Sequence, residues 1–230
     1  MQVFRNSLMS NDEFHFRDFS MRQAPSGQRV NTDSCVFGAL IGRDIKPTRA
    51  LDIGCGTGVL TLMLAARHPD VMMTAVEPEL EIADVAQQNF TSTPWAGRIK
   101  LLTLKAQELD PEIHGRFDFV FCNPPYFQNS MISDDRLRMV ARHNTSLSPD
   151  ELYDSMIRVM TDDGSAWVSF PGDAAKLWME RGGARKNKNK ISTFRTSCRL
   201  TYRDLMSFYP SRPSNLRKNI PLDGSFPPKF

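Results

Sequence analysis

Four residues near the middle of the chain have types and spacing suited to chemistry, and they read Asn123-Pro124-Pro125-Tyr126. Asn123 offers a side-chain carbonyl, and the carbonyls beside the two prolines point in fixed directions because proline locks φ and lacks an N–H. Tyr126 adds a flat apolar face on which a base or an amide can stack. The group therefore predicts a site that binds a planar amine. The alternative is a proline turn that ends a strand and binds nothing.

A second signal lies earlier in the chain, where residues 52–58 read Asp-Ile-Gly-Cys-Gly-Thr-Gly. Gly54, Gly56 and Gly58 allow a sharp turn from a strand into a helix, which we expect to open at Thr57 or Gly58. They also let a ligand approach the backbone closely. The spacing lacks the further glycine of the dinucleotide fingerprint, so the glycines alone do not choose between cofactors. A tight turn without a ligand is the alternative.

A carboxylate, Glu77, follows the next apolar run. At this position it can accept hydrogen bonds from both hydroxyls of a ribose, and its charge disfavours a 2′-phosphate. The alternative is that Glu77 caps the following helix. Gln107 follows a third apolar run, where a polar side chain would meet the edge of an adenine, although a solvated loop explains it equally well.

The motifs combine a nucleoside-binding loop with a site for a planar amine. This combination predicts methyl transfer from S-adenosylmethionine to nitrogen. An amine such as N6 of adenine is a poor nucleophile because its lone pair is delocalised, so acceptors that hold its two hydrogens help to turn the lone pair towards the methyl group. Positioning and exclusion of water supply most of the rate, and no dedicated base is required.

Strand and helix patterns alternate between residues 49 and 170 and place each motif directly after a strand. Helical periodicity separates the strands, and Ser148 followed by Pro149 predicts a helix start within 145–160. The alternation predicts an α/β fold with a Rossmann-like, doubly wound and mostly parallel sheet. Five short apolar runs are typical of its buried strands, at 50–53, 71–76, 99–104, 117–122 and 166–170.

The two ends of the chain differ from this middle. We predict that residues 1–45 form a short N-terminal extension packed on the core, that 46–210 form the methyltransferase domain and that 211–230 are a flexible tail. In the extension, alternation over 13–19 predicts a strand, and Thr32 and Asp33 are placed to cap a helix that runs to Ile41.

Basic residues cluster towards the C-terminal end. The segment 181–190 reads RGGARKNKNK and predicts an exposed loop that carries Lys186, Lys188 and Lys190. Arg142 adds positive charge after the Asn-Pro-Pro-Tyr motif. These side chains predict contacts with the phosphates of an RNA substrate. A solubilising loop and a solvated helix face are the alternative.

Composition limits the class of protein. A chain of 230 residues with 40% hydrophobic residues can bury one main core, and its net charge of +3 permits a polyanionic partner without requiring one. Its four cysteines show no paired spacing, which disfavours disulfides and a metal site and favours a cytoplasmic protein. No apolar run is long enough to cross a membrane, and the polar start lacks the core of a signal peptide.

The chain resembles class I S-adenosylmethionine-dependent methyltransferases of the Asn-Pro-Pro-Tyr type, most closely the bacterial tRNA1(Val) (adenine(37)-N6)-methyltransferase family. The similarity spans about residues 13–172 and extends beyond the common motifs. The further matching segments are Phe14-His15-Phe16-Arg17-Asp18-Phe19, Arg29-Val30-Asn31-Thr32-Asp33-Ser34 leading into Gly38-Ala39-Leu40, Ser92-Thr93-Pro94-Trp95, and Ala141-Arg142-His143 with Leu147-Ser148.

This resemblance implies a seven-stranded class I methyltransferase fold and methylation of N6 of adenosine 37 in tRNA1(Val). It implies that Thr32 and Asp33 lie beside the cofactor, that Glu77 holds the ribose, and that the target adenine is held by Asn123, Pro124 and Tyr126. The methionine part of the cofactor would lie against Asp52, Gly54 and Gly56.

The sequence departs from the family pattern in two places. Asn31 stands where a glycine is usual, a modest change if the backbone there is unusual, since Asn tolerates positive φ. In the C-terminal third, residues 191–194 and 204–209 are candidates for the last two strands, and the chain beyond Pro210 does not match the family.

Other functions remain open at this point. The nearest is an N5-glutamine methyltransferase that acts on a protein, because those enzymes use the same motif for a planar amide. The amine site also fits adenine in another RNA or in DNA. A nicotinamide oxidoreductase would use the glycine loop but would give Asn-Pro-Pro-Tyr no role. The last is an RNA-binding protein without activity, which the intact motifs argue against. The sequence does not indicate an oligomeric state.

Overall fold

The computed structural model describes residues 12–24, 29–124, 147–170 and 190–195. Its helices are α1 (Thr32–Leu40), α2 (Val59–Arg67), α3 (Leu80–Thr91), α4 (Pro111–His114) and α5 (Pro149–Val159). Its strands are β1 (Glu13–His15), β2 (Ser20–Arg22), β3 (Arg49–Ile53), β4 (Met72–Val76), β5 (Ile99–Leu102), β6 (Phe117–Cys122), β7 (Met160–Phe170) and β8 (Lys190–Arg195). Two short 3-10 turns cover Ala96–Arg98 and Ala106–Glu108.

Six of these strands form one sheet in the order β5-β4-β3-β6-β7-β8, and each neighbouring pair runs parallel. The chain first moves outward from β3 to β5 and then returns to the other side of β3 to place β6. The strand order therefore switches between β3 and β6. The predicted Rossmann-like, doubly wound fold is confirmed. The seventh strand was expected at 204–209, which lies outside the described residues.

Helices cover both faces of the sheet because alternate strand residues point to opposite sides. Leu51 and Val120 pack in a buried cluster with residues of α5. Ala50 and Phe119, one position earlier in each strand, pack in a second cluster with residues of α1 and α2. These contacts on both faces of the sheet explain why β3 and β6 read as mainly apolar runs in the sequence.

The start of α5 follows the sequence signal closely. Ser148 is its N-cap, and a reciprocal capping box joins the Ser148 side chain to the Glu151 amide and the Glu151 side chain to the Ser148 amide. Pro149 occupies the first turn, and two acids lie over the positive helix end. The helix covers 149–159, within the predicted 145–160.

Two predictions about local structure were wrong in detail. The pattern over 13–19 is a hairpin, because the chain turns at Arg17 and Asp18, where the Phe16 amide donates to the Phe19 carbonyl over 2.8 Å. The N-cap of α1 is Asn31, whose side chain accepts from the Ser34 amide, and not Thr32 or Asp33. The backbone of Asn31 is extended at φ −135°, so this residue serves as a cap and needs no positive φ.

Candidate functional site

The glycine loop and the Asn-Pro-Pro-Tyr segment begin side by side. In the centre of the sheet Ile53 on β3 is in register with Cys122 on β6, so Gly54 and Asn123 each follow the end of one of two adjacent strands. Neighbouring strands lie about 4.8 Å apart. The two motifs therefore start at the carboxyl edge of the sheet, at the switch point where open α/β sheets bind ligands.

The glycine loop uses the conformational freedom that its sequence offers. Gly54, Gly56 and Gly58 all have positive φ, at 69°, 56° and 93°. The amide of Gly54 donates to the Val76 carbonyl over 2.8 Å, which anchors the loop to the end of β4. Gly58 is the N-cap of α2, as predicted, and a Cβ there would clash with the ring of Phe90.

Glu77 links this loop to the next one. Its Oε2 accepts from the Gly56 amide over 3.0 Å, and its Oε1 accepts from the Glu79 amide over 3.1 Å. Glu77 is 7% exposed, and burial is the main cause that raises the pKa of its carboxyl above the usual value for glutamate. The N-cap of helix α3 is Glu79. The Glu77 carboxylate therefore accepts from this N-cap residue and from Gly56 in the glycine loop, and not from an amide in the first turn of the helix.

Asp52 lies inside the molecule, one residue before the end of β3. Its Oδ2 accepts a hydrogen bond from the Thr61 hydroxyl over 2.6 Å, which ties β3 to α2. Its Oδ1 has no hydrogen-bond partner among the described residues. Burial raises the pKa of Asp52 to about 7, and the nearby Glu77 charge adds to the rise. Asp52 is thus a buried carboxylate under the glycine loop, with one oxygen left to be satisfied.

Comparison with known proteins identifies the family of this chain. Residues 26–150 match the methyltransferase small domain. A tRNA1(Val) (adenine(37)-N6)-methyltransferase of Dyadobacter fermentans is 34% identical over 86% of this chain and 82% of its own length. The chain belongs to the tRNA1(Val) (adenine(37)-N6)-methyltransferase family.

Two further comparisons cover a smaller share of this chain. A family member from Vibrio campbellii is 35% identical over 69% of this chain and 65% of its own length. An O-methyltransferase of Brevibacillus brevis, solved in complex with S-adenosyl-L-homocysteine, is 14% identical and has a TM-score of 0.41. That likeness covers 56% of this chain and 38% of the solved one.

The structure describes two more residues that the family resemblance assigns to the cofactor. Thr32 and Asp33 are both exposed in the first turn of α1. This helix packs against α2, which begins at the glycine loop, and the Arg67 side chain of α2 donates to the Gly38 carbonyl over 2.7 Å. The placement of Thr32 and Asp33 beside a cofactor stays a prediction.

Gln107 lies in the 3-10 turn that follows β5, with its side chain exposed. The amide of Glu77 donates to the Leu102 carbonyl over 3.1 Å, so β5, the strand that precedes this turn, ends beside the backbone of Glu77. The backbone carbonyl of Gln107 accepts a hydrogen bond from Arg158 over 3.0 Å, and a contact of its exposed side chain with the adenine stays a prediction.

The other expected site residues belong to the Asn-Pro-Pro-Tyr motif or to the basic group towards the C-terminus. On the acceptor side, Asn123 and Pro124 are half-buried just past β6. Lys190, expected at the end of a loop, is the first residue of β8, because that strand pairs alongside β7 from Ser165 onward. Outside the described residues lie Pro125, Tyr126, Arg142, Lys186 and Lys188.

Sequence reasoning missed Asn89, which supports the glycine loop from below. This 2% exposed side chain donates to the Thr57 carbonyl and to the Arg22 carbonyl, each over 2.9 Å, and accepts from the Arg22 amide over 2.7 Å. It therefore joins the N-terminal hairpin to the loop. The available signal was a polar residue on the buried face of α3, directly before Phe90.

No helix in the described residues has both the length and the apolar character needed to cross a membrane. Nor does this part of the chain bring together three or more His, Cys, Asp or Glu side chains that could hold a metal ion. Cys35, Cys55 and Cys122 are free thiols.

Proposed function

We propose that the protein transfers a methyl group from S-adenosylmethionine to N6 of adenosine in tRNA, at adenosine 37 of tRNA1(Val). The proposal rests on the register of Ile53 with Cys122, which starts the glycine loop and the Asn-Pro-Pro-Tyr segment on adjacent strand ends. A methyl donor on the loop and an amine at Asn123 then lie within reach of each other. The tRNA and its position come from the names of family members that share about a third of their residues with this chain.

The residues of the loop fit this cofactor. A Cβ added at Gly54 or Gly56 meets no atom within 4 Å, so both positions open onto space that a ligand can fill. A carboxylate has about four lone-pair sites, and the two backbone amides use two of those on Glu77. The rest can accept the ribose hydroxyls. We assign the methionine part to Gly54, Gly56 and the unpartnered oxygen of Asp52.

S-adenosylmethionine supplies a methyl group bound to a positively charged sulfur. The side-chain carbonyl of Asn123 and a carbonyl beside Pro124 accept the two hydrogens of the target amine and turn its lone pair towards that methyl group. Tyr126 stacks on the adenine. After transfer the nitrogen carries a positive charge and gives its proton to water, so the chain needs no general base.

The substrate is an anticodon loop, in which position 37 is single-stranded and costs little to flip into the site. Arg142, Lys186, Lys188 and Lys190 bind its phosphates in this proposal. We place the reaction in the cytoplasm, where tRNA is found and where the free thiols of Cys35, Cys55 and Cys122 stay reduced.

The proposal is tested by supplying the purified protein with S-adenosylmethionine labelled on the methyl group. Separate tRNA, DNA and protein fractions from cells that lack the protein serve as acceptors. After digestion, the label should appear as N6-methyladenosine in tRNA. Label in glutamine would favour the N5-glutamine methyltransferase, and label in DNA adenine alone would reject the tRNA substrate.

A further inference from the structure

Asn89 is a buried polar side chain of α3 that is bonded to two distant segments of the chain. It is 2% exposed, and its Nδ2 donates to the Thr57 carbonyl and to the Arg22 carbonyl, each over 2.9 Å. Its Oδ1 accepts from the Arg22 amide over 2.7 Å. An asparagine side chain has two N–H donors, and both are used here. Because the side chain is also buried, Asn89 can affect a ligand only through the residues that it holds.

The bond to Thr57 lies at the point where the glycine loop enters α2. Thr57 stands between Gly56 and Gly58, whose φ angles are 56° and 93°. Gly58 is the N-cap, and its carbonyl accepts from the Leu62 amide, so the Thr57 carbonyl lies ahead of the helix. Glycines on both sides give this peptide little stiffness of its own. The bond from Asn89 therefore fixes the direction of the peptide between Thr57 and Gly58.

The same stretch of the loop is held from the sheet as well. The Gly56 amide donates to the Glu77 carboxylate over 3.0 Å, so contacts from the end of β4 and from α3 act on two successive residues. A Cβ added at Gly56 meets no atom within 4 Å, so this residue opens onto free space directly beside the peptide that Asn89 holds. Gly56 is also one of the residues that we assign to the cofactor. The bond from Asn89 thus acts on the part of the loop that shapes the proposed cofactor site.

The other bonds of Asn89 attach the N-terminal hairpin, which consists of β1 and β2. Arg22 is the last residue of β2, and both its backbone amide and its carbonyl are bonded to Asn89. Met21, 2% exposed, packs in one buried cluster with Phe90 of α3 and Cys55 of the glycine loop. The hairpin, α3 and the loop are therefore packed together, with Asn89 at their junction.

We infer that Asn89 is a positioning residue through which the N-terminal hairpin holds the glycine loop in its cofactor-binding shape. Asn89 does not touch the cofactor itself. Since coupling between two parts of a protein is reciprocal, a bound cofactor should in turn hold the hairpin more firmly on α3. The inference rests on the proposed use of S-adenosylmethionine and adds the hairpin to the elements that determine its affinity.

The first test removes the side-chain amide by Asn89→Leu, which is similar in size, and by Asn89→Ala. Calorimetry should show that the dissociation constant of S-adenosyl-L-homocysteine rises about tenfold, as expected for one lost hydrogen bond. In steady-state methylation with saturating tRNA, KM for S-adenosylmethionine should rise by a similar factor, while kcat stays within about twofold. A lower kcat with unchanged KM and dissociation constant would mean that Asn89 only supports the fold, and it would overturn the inference.

Two variants control for a general loss of stability. Val71→Ala truncates a fully buried side chain just ahead of β4, at the edge of the sheet opposite the loop. It should lower the melting temperature and leave the dissociation constant within about twofold. Gln88→Ala removes a side-chain bond to Arg22 but leaves the bonds of Asn89 in place, and it should also leave the dissociation constant unchanged. An equal rise in Val71→Ala and the Asn89 variants would contradict a specific role of Asn89.

The second test uses the unmodified protein, so it does not depend on how well a variant folds. Hydrogen exchange of the Arg22 amide, which donates to Asn89, is followed by NMR with and without S-adenosyl-L-homocysteine. The ligand should slow this amide about tenfold more than the Thr48 amide, which donates to Asp118 at the opposite edge of the sheet. Equal slowing of both amides, or none, would overturn the inference. Failure of the protein to bind S-adenosyl-L-homocysteine would instead overturn the proposed function.

Discussion

The Gly56 amide donates a hydrogen bond of 3.0 Å to the carboxylate of Glu77, so the residue expected to bind the ribose also fixes the shape of the glycine loop. The bond joins the ends of β3 and β4, which are neighbours in the sheet. The two motifs that the sequence presents as separate signals are thus one structural unit. A substitution in either one should affect both the ligand and the loop.

Glu77→Gln should weaken S-adenosylmethionine binding about 10- to 100-fold, the range expected for hydrogen bonds to a charged group. The NH2 of the new amide would face the Gly56 or the Glu79 amide and repel it, so the melting temperature should also fall. Calorimetric titration and thermal unfolding measure the two effects. Glu79→Gln, an exposed neighbour, is the control, and equal effects from both variants would contradict the role of Glu77.

Three glycine variants should separate stability from ligand binding. Gly58→Ala should unfold most readily, because its Cβ would clash with the ring of Phe90 and because φ at this position is 93°. Gly54→Ala meets no atom within 4 Å, so it should lose only about 1 kcal/mol through its positive φ while blocking the cofactor. Gly97→Ala, in open space, should change neither property. Full cofactor affinity in Gly54→Ala would contradict the proposal that the cofactor lies against this glycine.

Asp52 should make the ligand-free protein less stable as the pH rises. Burial raises the pKa of Asp52 to about 7 in the folded chain, above the value of about 3.9 for an exposed aspartate, so the unfolded state ionises first. The stabilising contribution of the protonated Asp52 side chain is fully present below about pH 4 and is lost progressively as the pH rises through about 7. The gain in melting temperature from Asp52→Asn should therefore grow between pH 5 and pH 8. Asp44→Asn, on an exposed turn, controls for the loss of a carboxylate; an equal slope in both variants would refute this.

Asn123→Ala should lower turnover about 100- to 1000-fold while leaving cofactor affinity within about twofold of the unmodified protein. One acceptor aligned with the reacting amine contributes about 100- to 1000-fold to the rate, comparable to one oxyanion-hole donor. Single-turnover methylation and calorimetric titration measure the two quantities. A variant with full activity would remove Asn123 from the acceptor site.

Reversing the charge of Lys186 and Lys188 to glutamate should weaken tRNA binding, steeply so at low salt, without changing cofactor affinity. The matched control reverses the charge of Lys46 and Lys100, which are both exposed. Lys46 precedes β3 at the edge of the sheet opposite the glycine loop. Filter binding across a salt series distinguishes the pairs. An equal loss of tRNA affinity in both pairs would indicate a general effect of charge and not a tRNA-binding site that includes Lys186 and Lys188.

The sequence was most informative where structure depends on neighbours along the chain. The bounds of β6 at 117–122 agree with the apolar run, and the capping residues of α5 agree with its pattern. The 13–19 pattern was misread because alternation does not distinguish one strand from a tight hairpin whose Phe16 and Phe19 stack at 4.5 Å between ring centroids.

Contacts between distant segments could not be predicted in this way. Asn89 bonds Thr57 and Arg22, and Arg158 bonds the turn after β5, yet neither residue belongs to a local pattern that indicates those partners. Each is a polar side chain whose role depends on which backbone groups the fold brings to it. The same holds for Asp52, whose raised pKa comes mainly from its burial.

The central claim is tested most directly by mass spectrometry of one tRNA. Unmodified tRNA1(Val) is incubated with the protein and S-adenosylmethionine, digested and sequenced, alongside the same transcript with guanosine at position 37. The account predicts a single N6-methyladenosine at position 37 and no methylation of the guanosine transcript. Methylation that persists at another position in both transcripts, or no methyladenosine at all, would contradict it.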